Sequence, residues 1–129
     1  LAKQQILTDF PLEKFFGYCP AIRIGNRIDI AGTAAIKNGE VVGVDNPYEQ
    51  TKFIIETIKD ILHELGADLS RVVRTRIFVT DISTWQEVAR AHGEFFKDIQ
   101  PASTLVEVKA LMNPRLLVEI EAEAIISGE

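Results

Sequence analysis

Apolar and polar positions change their spacing several times along the chain, and each change marks an element. Over residues 21–44 the spacing is two. Ile22 and Ile24 alternate with Ala21 and Arg23, and Ile28 and Ile30 resume the alternation after Gly25–Asn26. Such a pattern predicts strands, and Gly25–Asn26 and Asn38–Gly39 both favour the positive φ that tight hairpin turns need. The expectation is a meander that ends in "EVVGV". Over "NPYEQTKFIIETIKDILHELG" the spacing becomes helical. Ile54, Ile58, Ile61, Leu62 and Leu65 share one stripe, Asn46 can cap, Pro47 suits the first helical position, Glu49 is placed for a capping box, and Gly66 ends the run.

"RVVRTRIFVTD" returns to strict alternation, with Val73, Thr75, Ile77 and Val79 on one face and Arg74, Arg76 and Phe78 on the other. A second helix is expected from Ser83, with Gln86 three residues on, to a stop before Pro101. Its apolar face would be Trp85, Val88, Ala91/His92 and Phe95. Strands near 104–110 and 116–126 complete the order β-β-β-α-β-α-β-β. This is an α+β arrangement in one domain, residues 1–129, with two helices on one face of the sheet. In the last strand Val118, Ile120, Ala122 and Ala124 oppose Glu119, Glu121 and Glu123. The helices cover one face only, so Phe78 and Leu105 are expected on an incompletely covered second face, which favours an oligomer.

Composition narrows the function classes. The 129 residues are 47% hydrophobic, and 14 basic against 19 acidic residues give a net charge of −5, which repels nucleic acid. No apolar run reaches the roughly 18 residues of a membrane span. The acid and amides of "LAKQQILTDF" are unlike a signal peptide. The single cysteine excludes an internal disulfide and fits a reducing cytoplasm.

Candidate chemistry is sparse. His63, between Asp60 and Glu64 near the end of the first helix, reads as a partner of the helix dipole. His92, at the border of an apolar stripe, reads as a satisfied half-buried histidine before a catalytic one, and remains a candidate ligand contact. The histidines, Cys19 and the scattered acids form no metal-ligand set, and no cofactor is implied. Cys19 has no local base or helix N-terminus to make a thiolate, so packing is its better reading. Glu121 and Glu123 read as a solvated face or as cross-strand partners of Arg74 and Arg76. Nucleophile elbows, phosphate loops and dinucleotide fingerprints are absent from the sequence.

Taken together, "YCPAIRIGNRIDIAGT", "VVRTRIFVTDI", "PASTLVEVKAL" and "VEIEAEAI" resemble the Rid (reactive intermediate deaminase, YjgF-type) family from about Tyr18 to Ile125. The resemblance implies a chorismate-mutase-like α+β fold with a mixed sheet, assembled as a homotrimeric barrel. Clefts between its subunits would bind small carbonyl or imino compounds. The best-known members hydrolyse enamines and imines of the 2-aminoacrylate type, and older labels of endoribonuclease and translation inhibitor also attach to the family.

Carried over by position, the cleft tyrosine is Tyr18, the small strand end is Ala31 and Gly32, and the water-holding glutamate is Glu119. The entrance "P-A-R-S" reads Pro101-Ala102-Ser103-Thr104, so Ser103 stands where the family's carboxylate-clamping arginine would be. The helix asparagine falls on Ala89, Leu105 is a further ligand-lining candidate, and the loop 109–117 is about one residue longer and carries Arg115. A guanidinium offers a two-pronged charged donor, and serine offers one neutral donor. Charge-assisted bonds contribute roughly 1.5–3 kcal/mol each, so the exchange weakens imino-acid binding by about two or more orders of magnitude. Two function classes remain. One is a hydrolase of enamine-, imine- or neutral carbonyl-type substrates, with Glu119 positioning water, Ser103 and Thr104 donating hydrogen bonds, and Arg115 or Arg23 as possible substitute cations. The other is a non-catalytic metabolite-binding trimer. The nuclease reading is weakest.

Overall fold

The computed structural model describes residues 2–127. Eight strands and three helices follow in the order β1 (Lys3–Ile6), α1 (Pro11–Phe16), β2 (Ala21–Ile24), β3 (Arg27–Ala34), β4 (Ile36–Lys37), β5 (Glu40–Val41), α2 (Pro47–Glu64), β6 (Val72–Val79), α3 (Trp85–Phe96), β7 (Ala102–Glu107) and β8 (Val118–Ile125). Six strands form one mixed sheet in the order β1-β2-β3-β8-β6-β7, and β4-β5 form a separate small hairpin. Only β6 and β7 run parallel, joined through α3. The fold is therefore α+β, as the periodicity implies.

Local chemistry explains the clearest elements. The Asn46 side chain accepts from the Glu49 N–H at 3.0 Å and Pro47 opens α2. The Asn46 N–H itself goes to Gly43 O, so the capping box is only half made. Asn38 and Gly39 both have positive φ, 52° and 81°, and close β4 onto β5. The C-terminal end of α2 is capped from the sheet: Arg23 of β2 donates to Leu65 O at 2.6 Å and to Gly25 O at 2.9 Å. Two donors of the Arg23 guanidinium are thus committed to backbone carbonyls.

The core lies between the sheet and α2 and α3. Ile54, Ile55, Ile58 and Leu62 of α2 and Val88 and Phe96 of α3 meet Ile28, Ile77, Val118 and Ile120 of the sheet. Each fully buried aliphatic side chain contributes about 1.5–3 kcal/mol, so truncating Ile58 to alanine would open a cavity costing about 2–5 kcal/mol.

Several expectations need correction. The polar segment 3–6 pairs with β2 as an edge strand, and the short helix α1 follows it. Neither has an apolar period to announce it. Val73 is on the outside, 44% exposed, because β6 has one extra residue between Val72 and Arg74 relative to β8. The bulge gives the core position to Val72. Trp85 is 49% exposed and Phe96, not Phe95, is the fully buried aromatic of α3. The strand before the loop is 102–107 rather than 104–110. Leu105 is not on the open face: in the parallel register it pairs with Ile77 and packs against the core.

The open face is also less apolar than expected. Its centre is an ion-paired array, with Arg76 3.2 Å from Glu121 and 3.4 Å from Glu123, and Arg74 and Arg27 each 3.7 Å from Glu123. Exposed apolar groups flank it, with Ile24, Val73 and Ile125 forming an apolar end and Val106, opposite Phe78, at the other end. Among the described residues no helix is long and apolar enough to cross a membrane.

Candidate functional site

Glu119 differs from its neighbours on β8. It lies on the open face opposite Phe78 of β6 and Ala34 of β3. Glu121 and Glu123 are held by arginines, whereas among the described residues Glu119 has neither an ion pair nor a hydrogen bond. Among the described residues no buried side-chain polar atom lacks a partner, so the unbonded carboxylate reaches the surface. Burial first, and then the charge of Glu121, push its carboxyl above the ordinary value of 4.5.

The space for this carboxylate comes from β3. Between Ile30 and Thr33 that strand has one more residue than β8, a bulge containing Ala31 and Gly32. A Cβ built on Gly32 would lie 2.9 Å from Glu119 Cδ and closer still to its carboxylate oxygen. The glycine thus permits this placement of the flexible carboxylate and is not required by an unusual φ. Ala31 N–H donates to Pro20 O at 2.9 Å, which ties the segment 18–20 to the bulge. Tyr18 stands nearby, its phenol pushed above the ordinary value by burial, then by Glu13, then by Glu119. It borders an open cavity of about 650 Å³ together with Glu13, Cys19, Thr8 and Phe10. Tyr18, Ala31, Gly32 and Glu119 therefore form one neighbourhood, as their carry-over by position implies.

Ser103 belongs to a different neighbourhood. The parallel register sets it beside Thr75, on the helix-covered face of the sheet. The Thr75 hydroxyl lies 2.7 Å from Ser103 Oγ and 3.0 Å from His92 Nε2. His92 stacks on Phe96 with ring centroids 4.6 Å apart, and burial pushes its imidazole below the ordinary value of 6.5. Thr104 is opposite Arg76, exposed on the open face. Ala89 is exposed on α3, and Arg115 is exposed, with its backbone carbonyl accepting from Gln50 Nε2 at 3.0 Å.

One protomer thus brings Glu119 to Tyr18 and Gly32, and Ser103 to His92, but leaves the two groups on opposite faces of the sheet. Thr75 and Glu13 were not singled out by the sequence reading. Thr75 carried a readable signal, a lone hydroxyl among apolar positions of β6. Glu13, buried in the N-terminal segment and bonded to the Thr8 N–H at 3.0 Å and to the Thr8 hydroxyl, had none. Among the described residues no three His, Cys, Asp or Glu side chains converge on a metal-sized space.

Known proteins are similar to this chain in sequence and fold. The family model described as Endoribonuclease L-PSP matches residues 12–126. A RutC family protein of Pyrococcus abyssi is 37% identical over 126 residues, covering 96% of this chain and 98% of the relative. A protein of Acinetobacter baylyi named 3-aminoacrylate deaminase RutC is 30% identical over 125 residues, covering 96% and 98%. The crystal structure of a YjgF-family protein from Mycobacterium tuberculosis is 40% identical, with a TM-score of 0.88 over 97% of this chain and all of that one.

Proposed function

Because the chain belongs to the Rid (YjgF/RutC, Endoribonuclease L-PSP) family, we propose that it forms a homotrimer whose intersubunit clefts bind small enamine, imine or neutral carbonyl compounds and hydrolyse the C=N bond. The relative named 3-aminoacrylate deaminase supports the enamine class. The observation that carries the reading is Glu119, a half-buried carboxylate free of arginine and lodged against Gly32, beside Tyr18.

The chemistry follows from that environment. A carboxylate whose pKa is raised toward neutrality is a better proton acceptor at working pH. Glu119 takes a proton from water as the oxygen adds to the imine carbon. The substrate reacts as its iminium form, which an enamine reaches by taking a proton from solvent on its β-carbon. Glu119 then returns the water proton to the carbinolamine nitrogen, and ammonia leaves with the C–N electrons. The hydroxyl proton passes to Glu119 or solvent as the carbonyl forms. The Tyr18 phenol, kept protonated, covers the cleft and can donate to substrate. Ser103 and Thr104 supply neutral donors from the edge strand β7.

Assembly is part of the proposal. Glu119 and Ser103 cannot reach one ligand within a protomer, so a shared cleft requires β7 of one copy to approach the β3–β8 face of another. The exposed Phe10, Phe15 and Phe16 around α1, and the apolar end of the open face, are surface that such contact would cover.

The test is the decay of enzymatically generated 2-aminoacrylate and 3-aminoacrylate, with wild-type protein and with Glu119→Gln. Acceleration that disappears in Glu119→Gln supports the hydrolase, and equal rates in both overturn it. The replacement of the clamp by Ser103 favours a second reading, a trimer that binds neutral metabolites without turnover. Saturable binding without acceleration would select it.

A further inference from the structure

The contact between Ser103, Thr75 and His92 has a consequence for which ligand the cleft accepts, and it rests on the metabolite-binding reading above. Thr75 is fully buried at the face of Ile77 and Val79, where valine would pack equally well. Burying a hydroxyl there is costly unless it is bonded. Its two partners lie on two other elements: His92 Nε2 on α3 at 3.0 Å and Ser103 Oγ on β7 at 2.7 Å. His92 is half-buried and Ser103 is exposed, so three polar groups run in single file from the helix layer to the edge of the sheet.

A threonine hydroxyl has one proton, so Thr75 donates to only one partner and accepts from the other. If His92 carries its proton on Nε2, it donates to Thr75, Thr75 donates to Ser103, and the Ser103 proton points outward. If His92 carries its proton on Nδ1, every bond reverses and Ser103 offers only lone pairs. An arginine at this position could only donate. The serine chain donates or accepts according to the tautomer of the His92 ring.

We infer that Thr75 and His92 are positioning residues that fix the hydrogen-bonding polarity of Ser103, and that the ligand anchored there presents an uncharged carbonyl oxygen. The proposed direction in the free protein is from His92 Nε2–H through Thr75 to Ser103; the 2.7 Å and 3.0 Å contacts fit either direction, and the tautomer of His92 decides between them. A carbonyl oxygen accepts the outward proton and strengthens that direction. A carboxylate finds at Ser103 one neutral donor in place of a guanidinium, which leaves its desolvation poorly compensated there.

Histidine-selective 15N labelling tests this, because His63 and His92 are the only two histidines and His63 is exposed on the last turn of α2. Spectra are taken at pH 8, well above the lowered value of His92, so that its ring is neutral. His92 is expected as the Nε2–H tautomer in the wild-type protein. In Ser103→Ala the Thr75 proton has one acceptor left, and His92 should shift toward Nδ1–H while His63 stays unchanged. An Nδ1–H ring in the wild type, or no change in Ser103→Ala, overturns the file of bonds. This variant alters an exposed residue and should fold normally.

The ligand class is tested by titrating N,N-dimethylacetamide, which has a carbonyl acceptor and no donor, against pyruvate. Occupancy is read from the amide resonances of Ser103 and Thr104. The amide probe should bind and hold His92 as Nε2–H, and in Thr75→Val it should bind without any response of His92. Preferential binding of pyruvate overturns the assignment of a neutral carbonyl. If neither probe perturbs Ser103 or Thr104, binding at this entrance fails, while the tautomer result in the free protein still decides the polarity claim.

Discussion

The Glu119 carboxylate occupies the space that a side chain on residue 32 would need: a Cβ on Gly32 would stand 2.9 Å from Glu119 Cδ. The bulge in β3 and the isolated acid of β8 are therefore one device. Gly32→Ala should displace the carboxylate with little change in stability, because the atoms in the way are the free end of the Glu119 side chain. Enamine hydrolysis should fall. Chemical denaturation and the aminoacrylate decay assay check both, and an alanine variant with wild-type activity would falsify the pairing.

The same carboxylate should give stability a pH slope. Its folded pKa is raised above the ordinary 4.5 by burial and by Glu121. Folding thus disfavours the ionised form. The penalty is absent below pH 4.5 and develops as pH rises through the folded value. Glu119→Gln should remove this component and be more stable than wild type at neutral pH. Denaturant midpoints for both proteins between pH 4 and 8 measure the difference.

His92 should act in the opposite direction. Its folded pKa lies below 6.5 because of burial, so both states are neutral above that pH and no penalty applies. As pH drops from 6.5 through the folded value, the folded state resists protonation and stability falls. His92→Gln should flatten the slope in that range, as thermal midpoints across pH 5–8 would show.

Gln50 is the polar residue on which the long loop depends. Fully buried, it donates to Gly43 O at 3.2 Å and Arg115 O at 3.0 Å, and accepts from Leu117 N–H at 2.8 Å. Gln50→Leu leaves all three backbone groups without their partner and should cost about 2–4 kcal/mol. Hydrogen exchange at Leu117 should speed up more than exchange in the middle of α2.

Ser103→Arg restores the two-pronged donor at the exposed edge of β7. A gain of about tenfold in imine hydrolysis is expected, equivalent to roughly 1.4 kcal/mol of transition-state binding. The gain should vanish in the Ser103→Arg, Glu119→Gln double variant. A folded single variant with no gain at all would show that the pocket has lost more than its cation.

Much of this was legible from residue order. Asn46, Pro47 and Gly66 bracket α2 through chemistry that acts within a few residues, and strict alternation in 118–125 assigns the faces of β8. The bulges at Ala31–Gly32 and Val73 were not legible, because an extra residue is defined only against a neighbouring strand. Register hid more. Nothing in "QPAST" places Ser103 beside Thr75, since the pairing is parallel and set by a crossover through α3. Nor could alternation show that Leu105 faces the core while Thr104 faces outward. The pairing of Glu121 and Glu123 with arginines of β6 was legible from alternation on facing strands, whereas the lodging of Glu119 against Gly32 depends on the bulge and was not.

The sheet order has a temporal consequence. Strand β8 lies between β3 and β6, so the sheet is two separate halves until residues 118–125 are in place. A nascent chain can form the β2–β3 hairpin and the β6–α3–β7 unit early, each with an unpaired edge. Those edges close only when β8 inserts between them, against both halves at once. Formation of the last strand is therefore the committing event, and contacts between distant segments should make folding slower than the helices alone would suggest.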